Sequence, residues 1–145
     1  MKTDKTDRID KAEQWCAANG YRFTAPRRNV LDIIARHNAP ISAYEILEKL
    51  KAYVTNPKPP TVYRAIDFLN QHGFIHRIES RNAYIACASD HFHAGSQFMI
   101  CNQCGRTTEA HLCQLPEAIE EKAEAHDFRI TSWDMEVHGV CSQCQ

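Results

Sequence analysis

The sequence contains no long hydrophobic run. Nowhere do about 18 apolar residues follow one another, which excludes a membrane-spanning helix of ordinary length. The first ten residues, MKTDKTDRID, are polar and lack the apolar core of a secretory signal, so a cytoplasmic protein is expected. There is no HExxH and no deaminase-like HxE…PCxxC pattern, which removes two common zinc-hydrolase signatures. The only internal repeat is a pair of CxxC motifs. What remains is a globular composition, 43% hydrophobic and 24% charged, in 145 residues, enough for one ordinary domain or two small ones.

Cysteine and charge are both unevenly spread. Seven cysteines without an export signal argue against a disulfide framework, because the cytosol keeps thiols reduced. Cys16 stands alone; the other six lie between Cys87 and Cys144. Residues 1–85 carry 14 Lys/Arg against 9 Asp/Glu, and residues 86–145 carry 3 against 9. A basic first half suggests a polyanionic partner, and an acidic half rich in Cys and His suggests metal.

The first half reads as four helices and a hairpin. Ile9, Ala12 and Cys16 mark the inner face of the first helix, which Gly20 stops. Thr24 can cap TAPRRNVLDIIARH with Pro26 in its first turn, and Ser42 can cap a third helix with Ala43, Ile46, Leu47 and Leu50 on one face. The linker NPKPP is expected to be extended. TVYRAIDFLNQHG then follows, capped by Thr61 and stopped by Gly73, with Val62, Ala65, Ile66 and Leu69 inward and Tyr63, Arg64 and Asp67 outward. The runs FIHRIES and AYIACAS, turning at Arg81-Asn82, complete a winged helix-turn-helix. In that fold the helix before the hairpin enters the DNA major groove by its N-terminal end, where Tyr63 and Arg64 stand.

The second half reads as strands in QFMIC, RTTEAHL and FRITSWDMEVHGV around one helix, PEAIEEKAEAH. Its apolar content is too small for a large core, so a staple or a partner is expected. The two halves together make an α+β chain. The staple is visible as CNQC and CSQC: Cys101, Cys104, Cys141 and Cys144 match tetrahedral four-thiolate zinc, which would clip the last strand onto the first. Two redox dithiols are the competing reading of these pairs.

Other ligand types are left over. If the hairpin turns symmetrically about Arg81-Asn82, His76 lies opposite Cys87 on one sheet face, near enough to share a metal ion. His91, His93 and Glu109 lie a little further along, and a Cys/His/His/Glu set suits tetrahedral zinc better than iron or manganese. A buried histidine with no ligand role is the alternative for His76. His111 and His126 can complete another site or lie in solvent, Cys16 reads as a small core residue, and Cys113 has no assignment.

The stretches RFTAPRRNVL, ISAYEIL, PPTVYRAIDFL and FMICNQCG…HGVCSQC together resemble the ferric uptake regulator family of metal-responsive repressors, over nearly the whole chain. PPTVYRAIDFLNQHGFIHRIES and YIAC are most similar to its zinc uptake regulator branch. The resemblance implies a winged-helix DNA-binding domain over 1–86, a metal-binding dimerisation domain over 87–145, and no enzymatic activity. It implies structural zinc on Cys101, Cys104, Cys141 and Cys144, and a regulatory zinc on His76, Cys87, Glu109 and a histidine, His93 or His91. It implies two or more zinc ions per monomer, a possible third site at His126, and DNA contacts from Arg27, Tyr44, Tyr63 and Arg64. The expected function is a dimeric repressor of zinc-uptake genes that binds double-stranded operator DNA when zinc is plentiful. An iron, manganese or peroxide sensor is the alternative within the family; a zinc hydrolase and a zinc-stapled adaptor are the alternatives outside it.

Overall fold

Apolar residues recur every three or four positions through the first half, and helices form there. The computed structural model describes residues 5–37, 39–88, 95–110, 112 and 114–145, and the chain divides into two compact units, Met1–Ala88 and Ser89–Gln145. No helix among the described residues is long and apolar enough to cross a membrane.

In the first unit, α1 (Lys5–Ala18) buries Ile9, Ala12 and Cys16 and ends just before Gly20, whose φ of +75° suits glycine. Helix α2 (Ala25–Arg36) starts at Thr24, whose hydroxyl accepts from the Arg27 N–H, with Pro26 in the first turn. Helix α3 (Ala43–Leu50) has a complete capping box. The Ser42 hydroxyl accepts from the Glu45 N–H at 3.2 Å, and the Glu45 carboxylate accepts from the Ser42 N–H at 2.9 Å. That backbone hydrogen bond holds the Glu45 carboxyl below its ordinary range. Ser42→Ala is expected to lower stability by about 1 kcal/mol, seen as a lower denaturation midpoint with an unchanged slope.

Helix α4 (Pro59–Gln71) starts earlier than the sequence suggests. Lys58 is its N-cap, without a side-chain cap, and both prolines are helical rather than extended. The reason is that the first N–H groups of a helix have no internal partner, so Pro59 and Pro60 lose nothing there. Thr61 is therefore inside the first turn and does not cap. The inward set Val62, Ala65, Ile66 and Leu69 is buried as expected, and Phe68 joins it. With Val30, Ile34, Ile46 and Ile75 these residues form one core, and Val30, Ile46, Leu69 and Ile75 are fully buried.

The wing pairs β1 (Ile75–Ile78) with β2 (Ala83–Ala86), antiparallel, and Ile41 adds a bridge to Tyr84. Its turn is centred on Ser80-Arg81, one residue before the Arg81-Asn82 centre expected. A 3-10 turn over Glu79–Arg81 ends in Asn82, left-handed at φ 46°, so His76 faces Ile85 and not Cys87. The register slips by two residues, which preserves the face of every side chain.

In the second unit, β3 (Gln97–Cys101) is central, with β4 (Thr107–Glu109) antiparallel on one side and β5 (Met135–Gly139) parallel on the other. Helix α5 (Glu117–Ala125) lies in the crossover between β4 and β5. Both outer strands are shorter than the sequence runs suggested. Before β5, the chain is held by side chains instead of a ladder: the Asp134 carboxylate accepts from the Ser96 N–H at 2.8 Å and its hydroxyl at 3.1 Å. Gly95 must be glycine, since a Cβ there would lie 1.9 Å from the Trp133 carbonyl oxygen. The expectation of a thin core holds. Among the described residues of this unit only Gln97, Phe98, Ile100 and Cys101 are buried, and α5 buries none.

Candidate metal centres and nucleic-acid interface

The four cysteines meet because of strand direction. Each CxxC follows a strand, and β3 and β5 are parallel neighbours with Cys101 beside Gly139, so both motifs emerge at the same sheet end. Each then folds into a tight turn: the Gly105 N–H donates to the Cys101 carbonyl and the Cys144 N–H to the Cys141 carbonyl, both at 2.9 Å. The four sulfurs lie within 4.8 Å of one another. Cys104 Sγ and Cys141 Sγ are 3.7 Å apart. A tetrahedron with zinc–sulfur arms of about 2.3 Å has edges of about 3.8 Å, which the Cys104–Cys141 separation matches, so the cluster is like a structural zinc site. An ion held by all four sulfurs would join the ends of β3 and β5.

The thiols are electronically unlike. Backbone N–H groups in the first turn, that of Cys104 foremost, hold the Cys101 thiol down to about 6. The Gln143 N–H also lowers Cys141, whereas hydrogen bonding to the Cys141 thiol pushes Cys144 up to about 12. In the metal-free state protons therefore stay on part of the cluster, and zinc must displace them.

The second candidate pair is on the wing. The Cys87 N–H donates to the Phe74 carbonyl at 3.0 Å, one step past the paired strands. Cys87 is thus a diagonal neighbour of His76 on the same face, not its opposite. The pair still converges: a His76 ring nitrogen and the Cys87 sulfur lie within 4.8 Å. Tetrahedral zinc holding one thiolate and one imidazole needs about 3.6 Å between them, within reach of small side-chain rotations. Glu109 ends β4 in the other unit and is half-buried. His126 is exposed at the C-cap of α5 and belongs to no ligand cluster among the described residues. His91, His93, His111 and Cys113 lie outside the described residues. Cys16 is a core residue, 1% exposed, its thiol raised by burial.

The residues expected to meet DNA lie in the first two turns of three helices. Tyr44, in the first turn of α3, is 71% exposed, and Tyr63 on α4 is 54% exposed. Arg64 is exposed next to it and has no hydrogen bond or ion pair among the described residues. Arg27 is held differently. Its guanidinium lies 3.5 Å above the centre of the Phe68 ring and donates from Nη1 to the Arg22 carbonyl. Phe68 is buried with the inward stripe of α4, and nothing in the sequence marks it as the platform for Arg27.

The geometry agrees with what the chain is similar to. The ferric uptake regulator family profile matches residues 18–138. The zinc uptake regulation protein of Escherichia coli (strain K12) is 34% identical over 145 residues, 99% of this chain and 84% of that protein. A solved structure of a zinc uptake regulator complexed with zinc and DNA is 35% identical with a TM-score of 0.90, covering 99% of this chain and 96% of that one. Holo XcZur is 37% identical with a TM-score of 0.83, covering 94% and 95%. Apo XcZur, at 36% identity and 97% coverage of both chains, reaches only 0.56. With its helical first unit, mixed sheet and four-cysteine cluster, the chain belongs to the ferric uptake regulator family, as a metal-responsive, DNA-binding regulator of transcription and not an enzyme.

Proposed function

We propose that this chain is a zinc-responsive repressor that binds duplex operator DNA as a homodimer when a regulatory zinc site is filled, and so controls zinc-uptake genes. The observation that carries this reading is the His76–Cys87 pair on the wing. A thiolate beside an imidazole suits zinc, whereas iron and manganese sensing favours nitrogen and oxygen donors. Glu109 and His93, with His91 as its alternative, complete the regulatory shell, and the four cysteines hold a second, structural zinc. His111 and His126 are then free for a further ion.

In this reading the first unit is the reading head and the second carries dimerisation. An ion shared by His76 and Cys87 on one side and Glu109 on the other ties the head to the dimer. The recognition helices are then held about one DNA turn apart. Zinc acts by population shift, through its higher affinity for the DNA-competent arrangement. Two findings support a metal-linked change and a dimer. The holo and apo forms of XcZur compare so differently with this one chain that the two forms differ in shape. In this chain Met99 and Val137, paired on neighbouring strands, are 49% and 47% exposed, an apolar surface suited to a second copy. The protein acts in the cytoplasm, where thiol ligands stay reduced.

The test is DNA binding titrated against buffered free zinc, for wild type and Cys87→Ser side by side, with zinc content measured in both. Wild type is expected to gain DNA affinity with zinc. Cys87→Ser should keep its structural zinc and lose that gain. An equal response from both proteins would remove the wing pair from the sensing site.

A further inference from the structure

Arg106 and Gln143 join the two cysteine turns through their side chains. Arg106 follows the first turn, directly after Gly105, and Gln143 lies inside the second, between Cys141 and Cys144. Arg106 Nη2 donates to Gln143 Oε1 at 2.7 Å, across 37 positions of sequence. Among the described residues, the contact of the Cys104 and Cys141 thiols is the only other hydrogen bond between side chains of the two turns.

Both ends of this bond are tied to the sulfurs through backbone. The Arg106 carbonyl accepts from the Cys101 N–H at 2.9 Å, which closes the first turn from outside. The Gln143 N–H is hydrogen-bonded to the Cys141 thiol. The Cys141 N–H in turn donates to the Cys101 sulfur at 3.4 Å. Arg106 and Gln143 therefore grip the turns at residues whose backbone already holds a ligand.

The charge fits as well. Zinc on four thiolates leaves a net negative group, for which a guanidinium is a suitable counter-charge. Residues 86–145 have three basic side chains, Arg106, Lys122 and Arg129, against nine acidic ones. Arg106 nonetheless pairs with no carboxylate among the described residues; it is bonded to a neutral amide beside the cluster. Packing does not cover the sulfurs, since Cys104 is exposed and Cys141 and Cys144 are half-buried.

We infer that Arg106 is a positioning residue for the structural zinc, and that its bond to Gln143 locks the two cysteine turns around the ion. The inference rests on zinc occupying the four cysteines and deepens that reading. A chelator or competing thiol takes the ion only after the turns part, and the lock slows that parting. Zinc at the cluster then stays out of exchange while the sensing ion comes and goes. One chain can so hold a permanent ion and a reporting ion together.

The experiment follows zinc loss from the full zinc-loaded chain into an excess of a chromophoric chelator. Wild type is compared with Arg106→Ala, Arg106→Lys, Gln143→Ala and the double alanine variant. Wild type is expected to release zinc in two phases, the slower from the cluster. Each single alanine variant should speed the slow phase about ten-fold, the usual size of an outer-shell effect on a metal site. The double variant should be no faster than either single one, the signature of a shared contact. Arg106→Lys keeps the charge and a donor and should recover most of the wild-type rate. High salt should speed the slow phase of wild type and leave that of Arg106→Ala nearly unmoved, which a purely steric role would not do. A slow phase unchanged in Arg106→Ala, or alanine effects that multiply in the double variant, overturns the lock and leaves the zinc reading standing. A wild-type chain with no slowly released zinc overturns both.

Discussion

Stripping zinc from the four-cysteine cluster, or replacing Cys141 by serine, is expected to unfold Ser89–Gln145 while α1 to α4 stay folded. The reason is the poverty of that unit's core. Its buried side chains among the described residues come from β3 alone, and β5 is about half-exposed along most of its length. Folding free energies of whole domains are about 5–15 kcal/mol, and structural zinc in small modules contributes an apparent 10–16 kcal/mol at neutral pH. A unit with so little buried apolar surface has no reserve to replace that contribution. The first unit has its own aliphatic core and does not use the cluster. Amide hydrogen exchange separates the two outcomes directly. Protection of the β3 and β5 amides should collapse on chelation, and that of α2 and α4 should persist. Persistent protection of β3 in zinc-free protein would mean that packing, and not the metal, holds the sheet. Acid should act in the same direction as chelation. Protons compete with zinc for the thiolates, so zinc retention falls as pH drops toward and below the Cys101 value of about 6.

The sequence was legible wherever a single physical requirement decided the outcome. The inward positions of α1 and α4 follow from period alone, and Ile9, Ala12, Cys16, Val62, Ala65, Ile66 and Leu69 are all buried. Ser42 and Thr24 act as caps because a hydroxyl there has an orphan N–H to satisfy. The four cysteines could be grouped from spacing because thiolates in paired turns have few other uses. Failures came where two requirements competed. Thr61 looked like a cap, but two prolines, which have no N–H to satisfy, carried the helix start back to Pro59. The wing register was placed two residues off because the turn was centred on Arg81-Asn82, whereas Asn82 takes the left-handed conformation that ends a 3-10 turn and the centre falls one residue earlier. The pairing of His76 with Cys87 survived that slip only because two is an even number. An odd slip would have turned Cys87 to the other face. The Arg27–Phe68 stack was not legible, since it joins two helices through residues more than 40 positions apart in sequence.

Replacing Arg64 by alanine is expected to abolish most duplex binding without changing zinc content or folding. Arg64 is exposed and makes no hydrogen bond or ion pair among the described residues, so its removal breaks nothing in the folded protein. Alanine is also the better helix former at an exposed position, so stability should stay level or rise by a few tenths of a kcal/mol. Any loss of DNA affinity is then a loss of contact. A charged contact of this kind contributes about 1–3 kcal/mol, and a two-fold site uses it twice. The expected penalty is roughly 2–6 kcal/mol, from about thirty-fold to about 10⁴-fold in Kd. Salt and sequence dependence then divide the effect. A phosphate contact weakens operator and unrelated duplex alike and lowers the salt slope, whereas a base contact removes the preference for operator and leaves the slope nearly unchanged. Asp67→Ala is the control, since Asp67 is exposed on the same helix, three residues on, and carries the wrong charge for a DNA contact. Undiminished binding by Arg64→Ala would take α4 out of the groove, and Tyr44 at the start of α3 would then be the next residue to remove.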